Sequence, residues 1–180
     1  GGLKIRLAIM RVAVIPARGG SKRIPVKNIR SFCGKPMMAW SIIAAQTSDC
    51  FDRIVVSTDD EQIAQVAREY GAEVPFMRPK ALAGDHIGTA PVVAHAITSL
   101  EAAGADISEV CCIYATAPFI RPDDIQRGLK MLNDSEVLFA FSVTPYAFPI
   151  QRAIRITSSQ RVEMIHPEHS NTRSQDLEVA

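Results

Sequence analysis

Apolar residues in this chain fall into short unbroken runs separated by longer amphipathic stretches. The runs at 11–16 (RVAVIP), 53–57 (RIVVS), 73–76, 110–114 and 137–143 are bounded by turn-forming residues, and each reads as a strand. Helical spacing fills the gaps. Pro36 opens a helix over MMAWSIIAAQ, with Met37, Trp40, Ile43 and Ala44 on one face and Met37 and Trp40 assigned to the core. Thr58-Asp-Asp-Glu61 reads as a capping box ahead of a helix that Gly71 closes. A third helix is expected over 89–103, before Gly104. A fourth is expected over 122–132, with Pro122 at its start and Asp123 and Asp124 in its positive first turn.

Strand and helix alternate, and the strands are continuously apolar instead of alternating. That is the pattern of a parallel sheet covered on both faces, so an α/β, doubly wound, mostly parallel fold is predicted. Ligands of such sheets sit beyond the carboxyl ends of the strands, which brings the loops at 16–28, 77–89 and 115–121 together. After Pro145 the rhythm changes. Residues 153–157 and 161–165 are short, polar strands around Ser158-Ser159-Gln160, a small antiparallel excursion near the C-terminus.

Composition narrows the class. The chain has 180 residues, 47% of them apolar and 22% charged, too apolar for disorder and long enough for one core. No run of about 18 apolar residues occurs, so no membrane span is predicted. Cys33, Cys50, Cys111 and Cys112 show no metal or redox spacing. Cys111 and Cys112 read as small core residues, and the usage points to a reducing, cytoplasmic compartment. Residues 1–9, which precede Met10 and begin Gly-Gly, are set aside as a tag or extension.

The formal net charge of +1 excludes a strongly basic nucleic-acid binder but conceals an asymmetry. Residues 1–48 hold nine basic and no acidic side chains, whereas the remainder holds 11 basic and 19 acidic ones. Either the N-terminal part is a solvated basic face, or it carries an anion site.

One segment favours the anion site. Ala17-Arg-Gly-Gly-Ser-Lys-Arg-Ile-Pro-Val-Lys-Asn28 follows a buried strand and leads toward a helix. Gly19 and Gly20 let the backbone bend and present N–H groups to an anion. Arg18, Lys22 and Lys27 then suit a polyphosphate, and Asn28 offers donor and acceptor groups for a base or ribose. The spacing fits neither the P-loop nor the dinucleotide fingerprint, which argues against a dehydrogenase.

The same segment resembles the N-terminal signature of the CMP-sugar-acid synthetases, the cytidylyltransferases that activate nonulosonic and related acids. Phe32-x-Gly-Lys-Pro-Met37, Phe51-Asp-Arg-Ile-Val-Val-Ser-Thr-Asp59, Ala72-Glu-Val-Pro-Phe76 and Arg78-Pro79 are similar to stretches of that family. Asp85-His-x-Gly-Thr89, Tyr114-Ala-Thr-Ala-Pro-Phe119, Pro149-Ile-Gln-Arg152 and Thr172-Arg-Ser-Gln-Asp-Leu177 resemble its pseudaminic acid branch. The resemblance runs from about Arg11 to the last residue.

The resemblance implies a Rossmann-like nucleotidyltransferase domain over 10–180, with 145–180 as an arm for dimerisation and substrate. It implies CTP and a nonulosonic acid as partners, Mg²⁺ as cofactor, pyrophosphate as leaving group and a homodimer. Arg18 and Lys22 then carry the catalytic positions, Arg18 near the α-phosphate. Ala17 belongs to the nucleotide site, Gly19, Gly20, Ser21, Lys22 and Lys27 hold phosphates, and Asn28, Arg78, Thr89, Tyr114 and Ala115 face the nucleoside. Gln151, Arg173 and Gln175 face the sugar. Tyr114-Ala-Thr116 replaces the Gln-Pro-Thr of sialic acid synthetases, so base recognition there falls to backbone groups or Tyr114. The family's metal-binding aspartates lie beyond Ala180, which leaves the metal ligands unassigned and the active site short of complete.

Other readings stay open. Asp59 and Asp60 serve the first turn of their helix more readily than a metal. Asp85 and His86 either touch ligand or cap the helix at Thr89. Arg152 and Arg173 bind the sugar carboxylate or face solvent. The acceptor is alternatively a sialic or legionaminic-type acid, and a nucleotide-binding protein without turnover is the reading from another class.

Overall fold

The structure, a computed structural model, describes residues 9–20, 24–134 and 136–179. They divide into two compact units between Ala140 and Phe141.

The first unit is built on a parallel sheet. Strand β1 (Ile9–Pro16) leads through two short strands, β2 (Ser31–Phe32) and β3 (Lys35–Pro36), into helix α1 (Met37–Ser48). Strand β4 (Arg53–Ser57), helices α2 (Glu61–Glu69) and α3 (Thr89–Ala102), strand β5 (Asp106–Cys112) and helix α4 (Pro122–Asp134) follow. The strand order is β4-β1-β5, with β1 parallel to both neighbours.

Successive residues of β1 face opposite sides of the sheet, and both sides are covered. Ala13 and Ile15 pack with Met38, Ile42 and Ala45 of α1, Ile63 and Ala67 of α2, and Ile125 of α4. Val12 and Val14 pack with Ala96 and Leu100 of α3. Every residue from Val12 to Ile15 is therefore 0% exposed, which is why the strand reads as an unbroken apolar run.

Several local expectations need correction. Residues 137–143 form no strand, and Leu138, Phe139, Phe141 and Val143 lie in solvent. An apolar run becomes a strand only where a neighbouring edge takes its backbone N–H and C=O groups. The third expected strand, 73–76, reduces to a single parallel bridge between Val55 and Glu73. On α1 the buried positions are Met38, Ala39, Ser41, Ile42, Ala44, Ala45 and Ser48. Met37 and Trp40 are only half-buried; the Lys35 ammonium lies over the Trp40 ring, and the Trp40 Nε1–H donates to the Phe32 carbonyl. Asp60 caps α2, not Thr58: its Oδ1 accepts from the N–H groups of Gln62 and Ile63. Cys112 is exposed and Cys111 half-buried, because β5 is an edge of the described sheet.

The second unit holds the predicted antiparallel excursion. Strands β6 (Ile154–Ile156) and β7 (Val162–Met164) pair as a hairpin, with Ile154 opposite Met164 and Ile156 opposite Val162. These four share one face, and Arg155 pairs with Glu163 on the other.

Candidate functional site

The carboxyl ends of β1, β4 and β5 meet at a cavity of about 170 Å³. Arg18, Lys27, Asn28, Arg78, Thr89, Tyr114 and Ala115 line it, so seven of the residues singled out in the sequence converge there. They come from five places in the chain, and the parallel sheet is what collects them. A more open groove of about 410 Å³ lies between the C-terminal ends of α1 and α4, lined by Asp49, Lys130 and Asp134 among others. It contains none of the site residues singled out in the sequence.

The loop after β1 is shaped by side chains on its neighbours. The Ala17 N–H donates to the Ser57 carbonyl at 2.9 Å, continuing the β1–β4 ladder by one step. The Gly19 N–H donates to Asp59 Oδ1 at 3.0 Å. That donor is thus held by a carboxylate of this chain, not left open as the sequence suggests. A Cβ on Gly19 would stand 2.6 Å from Asp60 Oδ2 and 2.8 Å from Asp60 Cβ, whereas one on Gly20 would meet nothing within 4 Å. Gly19 is therefore required by close approach to the turn that caps α2. Ser21 and Lys22 lie outside the described residues.

The loop closes on itself through Asn28. This residue is 5% exposed, and its Nδ2 donates to the Arg18 carbonyl at 2.9 Å. Val26 adopts a left-handed conformation (φ 47°, ψ 30°), uncommon for a β-branched residue. It turns the chain into the 3₁₀ turn Lys27–Ile29, which brings Lys27 and Asn28 to the cavity wall.

Two arginines face the cavity in different states. Arg78 is 6% exposed; its Nε donates to Ser57 Oγ at 3.2 Å, and its other guanidinium arm donates to the Ser57 carbonyl. Burial pushes its pKa below the ordinary arginine value; the Asp59 charge opposes that push and the Arg18 charge adds to it. Arg18 is instead ion-paired, its Nη1 at 2.6 Å from Asp85 Oδ1. The N-cap of α3 is Gly88.

The opposite wall is the segment after β5. Ser41, fully buried in α1, donates to the Tyr114 carbonyl at 2.8 Å. The Tyr114 hydroxyl stands 3.4 Å from Thr89 Oγ1 across the mouth of the cavity. Ser41, Ser57 and Asp59 are structural members of the site that the sequence reading missed or gave another task. A serine inside an apolar helix face was the available signal for Ser41, and the Ser-Thr-Asp end of β4 for the other two.

In the second unit, Gln151 donates through Nε2 to the Glu178 carbonyl at 3.4 Å, and its Oε1 is buried without a partner. Arg173 makes two bonds to Asp176, at 2.7 and 3.2 Å, and Gln175 is exposed in the 3₁₀ turn Ser174–Asp176.

Chemically, the cavity offers two guanidinium groups, an ammonium and backbone polar groups at strand ends. That combination suits a phosphorylated ligand with a polar ring system. Comparisons with known proteins agree. The cytidylyltransferase family profile matches residues 12–180. The chain is 43% identical over 169 residues to a pseudaminic acid cytidylyltransferase of Campylobacter jejuni subsp. jejuni serotype O:2, covering 94% of this chain and 73% of that protein. It is 42% identical over 123 residues to a CMP-N,N'-diacetyllegionaminic acid synthase of Legionella pneumophila, covering 68% of this chain and 53% of that protein. The solved structure of CMP:2-keto-3-deoxy-manno-octonic acid synthetase complexed with CTP is similar at a TM-score of 0.59 and 28% identity. That match covers 71% of this chain and 49% of the synthetase, so the chain corresponds to about half of it.

Proposed function

This chain belongs to the cytidylyltransferase family, and from that premise we propose that it transfers CMP from CTP to the anomeric hydroxyl of a pseudaminic-type nonulosonic acid, releasing pyrophosphate. The observation that carries this reading is the convergence of Arg18, Lys27, Asn28 and Arg78 on one cavity at the strand ends.

In the proposed reaction the anomeric oxygen forms a bond to the α-phosphorus, the bond from that phosphorus to the β-phosphate bridge breaks, and the hydroxyl proton is lost. Negative charge grows on the pyrophosphate and on the non-bridging α oxygens. Arg18 and Lys27 supply positive charge there, and catalysis is chiefly positioning and charge stabilisation. Lys22 is proposed to share this task. Arg78, Asn28 and the Tyr114–Ala115 segment form the nucleoside side. Gln151, Arg173 and Gln175 are proposed for the sugar, with Arg173 exchanging Asp176 for the sugar carboxylate.

Mg²⁺ is the cation the family resemblance implies. Among the described residues no group of three or more His, Cys, Asp or Glu is placed to hold an ion. No step here runs through it. Among the described residues, no helix is long and apolar enough to cross a membrane. We propose that the protein works in the cytoplasm, where CTP is made. We also propose a homodimer that covers the apolar hairpin face of Ile154, Ile156 and Val162, each at least 60% exposed. A two-stranded ribbon is marginal by itself, which supports the proposal. A monomer by light scattering at micromolar concentration would end it.

The functional test is pyrophosphate release from CTP with a pseudaminic-type acid, for the wild type and Arg18→Ala. Activity that survives Arg18→Ala unchanged removes the role given to Arg18. The legionaminic similarity supports a second acceptor, and competition between the two acids decides which has the higher kcat/KM.

A further inference from the structure

The ion pair between Arg18 and Asp85 joins two loops that are distant in the chain. The two residues lie 67 positions apart, on the loop after β1 and on the loop before α3. The N-cap of α3 is Gly88. The pair is partly solvated, with side chains 33% and 28% exposed, so a competing anion can reach Arg18 from solvent. The neighbouring Arg78 is held by a hydroxyl and a carbonyl, both neutral. Of the two cavity arginines, Arg18 is thus the one held by an anion.

A carboxylate on a guanidinium occupies the place a phosphate oxygen would take, because both offer the same oxygen geometry to the N–H fork. We propose that Asp85 is an affinity-setting residue of the nucleotide site. It holds Arg18 in the unliganded protein, and the polyphosphate displaces it on binding. The inference rests on reading this cavity as the CTP site. Its logic is that of a partly populated competent state: measured affinity is the intrinsic affinity reduced by the fraction of molecules in which Arg18 is released. Asp85 also places a negative charge next to a polyanion, which weakens binding further. Both effects have the same sign, so Asp85 lowers affinity for any ligand that engages Arg18 through phosphate. The consequence suits turnover, since a carboxylate that reclaims Arg18 assists release of the departing pyrophosphate.

The test is calorimetric titration of the full chain with CTP, inorganic tripolyphosphate and cytidine, for the wild type, Asp85→Asn, Arg18→Ala and the double variant. Asp85→Asn is expected to bind CTP and tripolyphosphate about 3- to 10-fold more tightly, with cytidine unchanged. In the Arg18→Ala background the gain should shrink below about 2-fold, because the competition acts through Arg18. Asp85→Ser, with a far-ultraviolet spectrum like wild type, serves if the asparagine variant misfolds. Unchanged or weaker binding by Asp85→Asn overturns the inference and makes Asp85 a support for Arg18. If Arg18→Ala leaves CTP affinity unchanged, or the wild type binds no CTP, the nucleotide reading itself fails and takes this inference with it.

Discussion

Asp59 Oδ1 accepts the Gly19 N–H at 3.0 Å, tying the loop that follows β1 to the loop that follows β4. The bond lies next to Arg18, a residue of the cavity wall, and the Asp59 carboxylate offsets the charge of Arg78. Asp59→Ala leaves a partly buried N–H without its acceptor, for a loss of about 1–2 kcal/mol of stability. It also frees the loop that carries Arg18, so KM for CTP should rise about tenfold. Asp59→Asn retains an acceptor oxygen and should recover most of the stability while losing the charge. Urea unfolding and pyrophosphate-release kinetics measure the two effects, and a wild-type midpoint for Asp59→Ala would show that the bond does not hold the loop.

Gly19 and Gly20 are adjacent, yet their substitutions should differ. A Cβ at Gly19 would stand 2.8 Å from Asp60 Cβ and 2.6 Å from its Oδ2, and Asp60 is the residue that caps α2. Gly19→Ala must therefore shift either the loop after β1 or the cap, with an expected cost of about 1–3 kcal/mol. Gly20→Ala meets open space and should change stability by less than about 0.5 kcal/mol. Equal melting temperatures for the two variants would contradict the packing described.

Much of this site was legible in the sequence, for a physical reason. A strand buried on both faces can only be an unbroken apolar run, so β1 and β4 stood out, and the parallel order fixed which loops meet. The cations of the loop then had one plausible meeting place. What the sequence could not disclose was partnership. Asp59 looked like a helix-turn residue, but its neighbour Asp60 took the cap and left Asp59 to hold Gly19. Asp85 looked like a cap or a ligand contact and is bound to Arg18. The run at 137–143 carries strand-like residues but no strand, because hydropathy specifies burial and not the edge that provides it.

The thiols divide by environment. Burial pushes the Cys111 thiol up to about 11, with the nearby Cys112 and Cys50 thiols adding to the shift, while Cys33 is exposed in a turn. At pH 8 a thiol of that acidity is ionised to roughly one part in a thousand, so alkylation should mark Cys33 first. Because the folded pKa lies above the ordinary thiol value, the folded form holds its proton longer than the unfolded chain. Stability from this group is complete below about pH 8.5 and declines as pH rises through the thiol range. Iodoacetamide labelling mapped by mass spectrometry checks the order, and equal rates at Cys33 and Cys111 at pH 8 would refute it.

Arg78 supplies the sharpest distinction between charge and shape. Its guanidinium reaches the Ser57 hydroxyl and carbonyl at once, a planar two-pronged contact that a lysine ammonium does not reproduce. Arg78→Lys keeps the positive charge in the cavity but loses one of the two bonds, leaving a buried acceptor at the end of β4. A loss of about 1–3 kcal/mol in stability is expected, with KM for CTP raised more than kcat is lowered. Ser57→Ala should imitate a part of this effect, since it removes the hydroxyl acceptor but leaves the carbonyl. Combining the two substitutions is the decisive measurement. Effects smaller than the sum mean that Ser57 acts by seating Arg78, whereas full additivity would mean that the two residues serve the nucleotide independently.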